Sequence, residues 1–162
     1  MSTQQEFRHT SGSQAPAPKI RNAGTKPQTP HKLFLNLPVS DLQRTIEFFE
    51  ALGFTFNVQF TDATATSMLV GEDAYVMFLT HDRFTGFSKR PIADPKKVSG
   101  ALFSFSVESR AEVDATVKKA LAAGGTTDDE PEDHGFMYQW SFRDLDGHGW
   151  GVFWMDPSVV QG

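Results

Sequence analysis

The feature that most narrows the folds open to this chain is an order of elements that occurs twice. From Lys32 onward, Leu33, Leu35, Leu37 and Val39 alternate with Phe34, Asn36 and Pro38, the two-residue period of a strand with one packed face. A helix is expected to start at Ser40, with Gln43 in capping-box spacing. Leu42, Ile46, Phe49 and Gly53 then fall along one helical face, and Gly53 serves as the stop. Strand-like runs follow near residues 54–60, 64–70 and 74–81, with Gly71, Glu72 and Asp73 as the turn between the last two. The second half repeats this order. Phe103, Phe105 and Val107 alternate with Leu102, Ser104 and Ser106, and Ser109 with Glu112 forms a second capping box. Val113, Val117, Ala120 and Leu121 make a helix face that ends at Gly124 and Gly125. Further strands are expected near 126–128, 136–143 and 149–155, with Asp146-Gly147 as a hairpin turn.

Two strand–helix–strand–strand–strand units predict an α+β fold of paired modules. The boundaries are a flexible tail over 1–31 and one domain over 32–160. Within the domain, module one spans 32–82, a connection 83–99, and module two 100–157. The tail is rich in Gln, Ser, Thr and Pro and cannot bury enough apolar surface to offset the entropy of ordering it. Lys89, Arg90, Lys96 and Lys97 give the connection the look of a solvated linker.

Composition removes several functions. A net charge of −5 opposes general nucleic-acid binding, which needs a positive surface to displace counterions. The absence of cysteine excludes disulfides, thiolate metal sites and Cys nucleophiles. No apolar run approaches the roughly 18 residues of a membrane span, and no secretory apolar stretch opens the chain. A cytoplasmic location is therefore expected. A cleaved organelle leader is the alternative, since Arg8 and Arg21 face only Glu6 in the first thirty residues. Fifteen phenylalanines point to aromatic packing or an apolar cavity.

Three stretches, LNLPVSDLQRTIEFFEALGF at 35–54, SFSVESRAEVDATVKKALAAGG at 104–125 and DHGFMYQWSFRDLDGHGWGVFWMDP at 133–157, resemble the vicinal-oxygen-chelate superfamily. That group includes glyoxalase I, extradiol dioxygenases and bleomycin-resistance proteins, and within it the chain is most similar to lactoylglutathione-lyase-related proteins. The resemblance implies two βαβββ modules forming a curved, cup-like mixed sheet with helices on the outer face. It further implies a divalent metal held by His, Glu or Gln from the first and last strand of each module. Carried onto this sequence, those positions are Phe34, Met77 or Phe78, Leu102 and Gly151. None offers a nitrogen or oxygen donor, and a Met thioether is too soft for Mg, Mn or Zn. No cofactor is predicted, and a divalent metal is not expected.

The expected site is instead an apolar cup that binds a small molecule. Its predicted lining is Phe34, Asn36, Phe78, Leu102, Ser104, Gln139, Gly151 and Phe153, with Gly149 and Gly151 widening it by omitting side chains. Tyr138 and Trp140 share a face with Phe136 and Phe142 and are read chiefly as core. The resemblance implies a sequestering or resistance-type role toward a small apolar or aromatic molecule, in a homodimer. The alternative is a glyoxalase-like lyase, isomerase or dioxygenase. It would use unconventional ligands drawn from Asp133, His134 and His148, or work without metal through His134 or Tyr138. His148, just after a turn, is expected to face solvent, and His81 to sit on a rim; His9 and His31 carry no chemical argument. A partner-binding module in a larger assembly, acting through the tail or an exposed sheet edge, is a third possibility.

Overall fold

The computed structural model describes residues 15–159. Much of the expected tail, with Glu6, Arg8 and His9, lies outside the described residues, and residues 15–32 contain no helix or strand. The elements are β1 (Leu33–Val39), α1 (Leu42–Ala51), β2 (Thr55–Asn57), a 3-10 turn at Val58–Phe60, β3 (Ala65–Gly71), β4 (Ala74–Thr80), α2 (His81–Phe87), β5 (Leu102–Ser106), α3 (Arg110–Ala122), β6 (Glu132–Asp133), β7 (Met137–Arg143) and β8 (Gly149–Met155). They form two open four-stranded mixed sheets, ordered β1-β4-β3-β2 and β5-β8-β7-β6. In each, the first strand runs parallel to the last, and the other pairs are antiparallel. Each repeat of the sequence is therefore one sheet with one crossover helix.

Local chemistry sets the helix starts. At α1 the cap is Asp41, not Ser40: Asp41 Oδ1 accepts the Arg44 N–H at 3.0 Å. The Ser40 N–H instead donates across the molecule to Asp146 Oδ1 at 2.8 Å. A carboxylate complements the positive end of the helix dipole better than a hydroxyl. Gln43, assigned to the box by spacing, bonds Glu47 instead. At α3 the capping box is present, with Ser109 Oγ accepting the Glu112 N–H at 3.1 Å and Glu112 Oε2 accepting the Glu108 N–H at 2.7 Å. The packed face of α1 is rotated from the one expected: Thr45, Phe48 and Phe49 are buried, while Ile46 is half-buried. Thr45 tolerates burial because its hydroxyl donates to Asp41 O at 2.9 Å.

One core joins the modules. The Phe49 ring of α1 lies 5.1 Å from Phe78 of β4 and 5.1 Å from Trp150 of β8. Phe48 meets Phe142 at 6.0 Å, and Phe54 meets Phe105 at 5.2 Å. These rings exclude water from both sheets at once, each contributing about 2–3 kcal/mol of burial, so neither module has a closed core of its own.

Three stretches depart from expectation. The strand expected near 54–60 is β2 alone, followed by the 3-10 turn at Val58–Phe60. The boundary expected between module one and the connection falls inside α2, whose first turn is capped by Thr80 Oγ accepting the Arg83 N–H at 3.3 Å. This helix packs on β1 and β4. The strand expected at 126–128 is a single bridge between Thr126 and Arg143, and the regular pairing begins later, at Glu132–Asp133.

Candidate functional site

Strand register decides which side chains of module two point away from α3. Leu102 pairs with Gly149 and Ser104 with Gly151 across β5 and β8. Gln139 pairs with Phe153, Ser141 with Gly151 and Arg143 with Gly149 across β7 and β8. Paired residues project to the same side, so these groups share one open face. On it lies a cleft of about 290 Å3 bounded by Leu102, Ser104, Gln139 and Gly151, with Asp128, Asp129, Glu130 and Glu132 along one wall. Four of the residues singled out from the sequence thus meet in one place. Phe153, beside Gln139, belongs to the same face.

The glycines do not act as expected. A Cβ on Gly149 would lie 2.8 Å from Leu102 Cδ2, and one on Gly151 would lie 2.6 Å from Ser104 Oγ. The volume they give up is filled by their parallel-strand neighbours, so they admit Leu102 and Ser104 instead of widening the cleft. A Gly-rich strand reads the same in sequence whether the space is empty or filled.

The acidic wall is held in place by hydrogen bonds. Gln139 Nε2 donates to Glu132 Oε2 at 2.8 Å, Ser141 Oγ donates to Asp129 Oδ2 at 2.9 Å, and Arg143 Nε pairs with Asp128 Oδ2. His134 Nε2 also lies 3.1 Å from Glu132 Oε2. The Gln139 bond first, and the His134 contact second, keep the Glu132 carboxyl below its ordinary range, so it stays ionised at neutral pH. Sequence reasoning missed this wall. The expected strand near 126–128 takes in only Asp128 of its acids, and only the return of β6 beside β7 brings Asp129, Glu130 and Glu132 against the sheet.

Other predicted residues lie elsewhere. Phe34 and Asn36 occupy the open face of module one, where the half-exposed Phe34 stacks on Tyr75 at 4.8 Å and 12°. Phe78 does not line a cup: it is fully buried in the aromatic core, and its neighbour Met77, paired with Asn36, takes the outward position. Tyr138 faces α3, donating its hydroxyl to Asp114 Oδ1 at 2.8 Å. That bond, with burial, holds the phenol above its ordinary range, opposite to what a base would need. His148 is buried, not solvent-facing. Its Nε2 donates to Pro38 O at 2.8 Å, and its backbone N–H to Asp144 Oδ1 at 3.0 Å. His81 starts α2 and is exposed.

Phe34, Met77, Leu102 and Gly151 supply no oxygen or nitrogen side-chain donor, so a hard divalent cation does not fit them. Asp133, His134 and His148 do not gather either: Asp133 is tied to Arg110 and His148 to Pro38. Among the described residues no group of three or more His, Asp or Glu is placed to hold a metal ion. None of their helices is long and apolar enough to cross a membrane.

Solved structures share this architecture. A hypothetical protein, SA1046, from S. aureus superposes with a TM-score of 0.67 at 27% identity, over 77% of this chain and 94% of that one. A glyoxalase-related enzyme from Fulvimarina pelagi gives 0.65 at 16% identity, covering 78% and 88% of the two chains. TnmS3, an antibiotic binding protein from Streptomyces sp. CB03234, gives 0.57 at 20% identity, covering 80% and 99%. The latter two likenesses speak to fold alone. No curated protein matches the chain. The model of the Glyoxalase/Bleomycin resistance protein/Dioxygenase superfamily matches residues 32–152, and with the two βαβββ modules already described, this chain belongs to that superfamily.

Proposed function

We propose that the chain binds a small, largely apolar or aromatic molecule in the module-two cleft, as a sequestering protein and not a metal enzyme. The observation that carries this reading is the replacement of the superfamily's ligand positions by Phe34, Met77, Leu102 and Gly151, beside a cleft of about 290 Å3. That volume is at the small end of ligand pockets, and Leu102 and the flanking aromatic side chains give it an apolar part beside the polar Ser104, Gln139 and Ser141. The antibiotic binding protein TnmS3 gives a precedent for such use of this fold. The acidic wall favours neutral or cationic ligands over anions.

A second copy of the chain would complete the site. Leu33, Phe34 and Leu102 are 56%, 52% and 73% exposed, and β1 and β5 are the edges of their sheets. Apolar groups beside unpaired strand edges are ordinarily covered. A homodimer is the occupant we propose.

A thermal-shift screen of planar aromatic compounds, with elemental analysis of the purified protein, tests the reading. A true ligand at a hundred times its Kd raises apparent stability by about 2.7 kcal/mol, and a cleft-filling Ser104→Trp variant loses that shift. Stoichiometric Zn, Mn, Fe or Ni in the folded protein would overturn the proposal. One contact supports the catalytic alternative: His134 touches Glu132, which lines the cleft. An activity lost in His134→Ala, with the fold retained, would favour it.

A further inference from the structure

A second cavity, also of about 290 Å3, adjoins the cleft just described and shares Arg143 and Gly149 with it. It occupies the seam between the edge strands β1 and β5 and is roofed by the connection. Its apolar walls include Pro38 of β1, Phe84 of α2, Ile92 and Val98 of the connection, and Phe103 of β5. None of these residues lines the module-two cleft. His148 also lines it.

His148 is only 7% exposed, and its chemistry is fixed by its contacts. Pro38 O can only accept, so Nε2 carries the proton and donates to it at 2.8 Å. In the neutral ring Nδ1 is then a bare acceptor. Its other polar contacts run through its backbone: the N–H donates to Asp144 Oδ1 and the carbonyl accepts the Asp144 N–H, both at 3.0 Å. Among the described residues no side-chain nitrogen or oxygen is both sealed from solvent and without a partner. The Nδ1 lone pair therefore opens onto accessible space, and the cavity that His148 lines supplies it.

We propose that this seam cavity is a second ligand site, for a small neutral molecule with an aromatic or aliphatic body and one hydroxyl or N–H that donates to His148 Nδ1. Asn36, Ser88, Ser99 and Arg143 also line the cavity. The Pro38 bond holds the His148 ring in one orientation, so a ligand that donates to Nδ1 is favoured over a purely apolar one that leaves this acceptor unsatisfied. Its apolar walls are its own, so it can be tested apart from the module-two cleft.

The test uses phenol, with toluene as the donor-free control, titrated into the full-length 15N-labelled protein. Saturable amide shifts are expected at Phe84, Ile92, Phe103 and His148, with Ser104, Gln139 and Gly151 unmoved. The His148 Nδ1 resonance should move upfield with phenol and stay put with toluene. His148→Phe should weaken phenol about threefold to tenfold while leaving toluene nearly unchanged, the loss of one net hydrogen bond. Ile92→Trp, which fills the cavity from the connection without touching His148, should abolish both. Shifts confined to the module-two cleft, equal loss of both compounds in His148→Phe, or undiminished binding in a folded Ile92→Trp protein would each overturn the proposal.

Discussion

Asp144 is the charge on which the junction of the two modules turns, and replacing it by asparagine tests that role. It is 7% exposed at the start of the β7–β8 turn. Its Oδ1 accepts the backbone N–H of Asp146 at 3.0 Å and of His148 at 3.0 Å, while Oδ2 accepts the Trp150 indole N–H at 2.9 Å. Asparagine keeps one oxygen and turns the other acceptor into a donor. With the oxygen left toward the turn, its NH2 opposes the indole N–H, and a buried donor loses its acceptor. That costs about 1–3 kcal/mol, less what is recovered by no longer burying a charge. We expect Asp144→Asn to lower stability by about 1–2 kcal/mol in urea unfolding. The same substitution made in Trp150→Phe, which removes the opposing donor, should cost markedly less, a coupling of at least ~0.5 kcal/mol. The pH dependence carries a further check. Burial, the largest influence, raises the Asp144 carboxyl above its ordinary value despite the opposing hydrogen bonds from the Trp150 indole and the His148 and Asp146 backbone N–H groups. The folded state then binds this proton more tightly than the unfolded chain, so as pH falls from the raised folded value toward the ordinary one this group adds stability. Asparagine lacks that gain, so the gap between wild type and Asp144→Asn should widen over that interval. Additive costs in the two-residue cycle, or a gap that narrows on acidification, would refute this account of the junction.

Three further outcomes follow from the same geometry. Asp41→Ala should cost about 0.5–2 kcal/mol as the loss of a true N-cap. Ser40→Ala should leave α1 nearly unaffected, since only the Ser40 backbone N–H is engaged; equal costs in chemical denaturation would return the cap to Ser40. Gly151→Glu, which writes a carboxylate into a superfamily ligand position, should destabilise the protein by about 1–3 kcal/mol through overpacking and bind no metal, because its Cβ meets Ser104 Oγ. Stoichiometric Mn or Zn uptake by calorimetry would contradict this. For the proposed homodimer, Leu102→Asp on the open face should shift light scattering from a dimer toward a monomer relative to the wild type; a wild type that is already monomeric, or a variant that stays dimeric, would count against Leu102 at such an interface.

Alternation and capping made both modules legible before any coordinates. The Leu33–Val39 strand and the Ser109–Glu112 box read directly, because each is a local rule satisfied by neighbours in sequence. The lack of metal donors at Leu102 and Gly151 was equally plain, since donor chemistry belongs to the residue itself. Long-range partners were not legible. Phe78 and Met77 are adjacent, and only the pairing of β4 with β1 and the insertion of Phe49 sent Phe78 inward. His148 follows a turn whose Gly147 takes a φ of 95°, which usually marks exposure, yet Pro38 O from the other module buries it. The acidic wall came from a loop folding back on β7, and the roles of Gly149 and Gly151 from the strand beside them. The sequence by itself determined most of the strands, both crossover helices, their twofold repeat and the lack of donor side chains at Phe34, Leu102 and Gly151. The tertiary structure alone decided which groups face a cavity, because burial and hydrogen-bond partnership depend on residues distant in the chain.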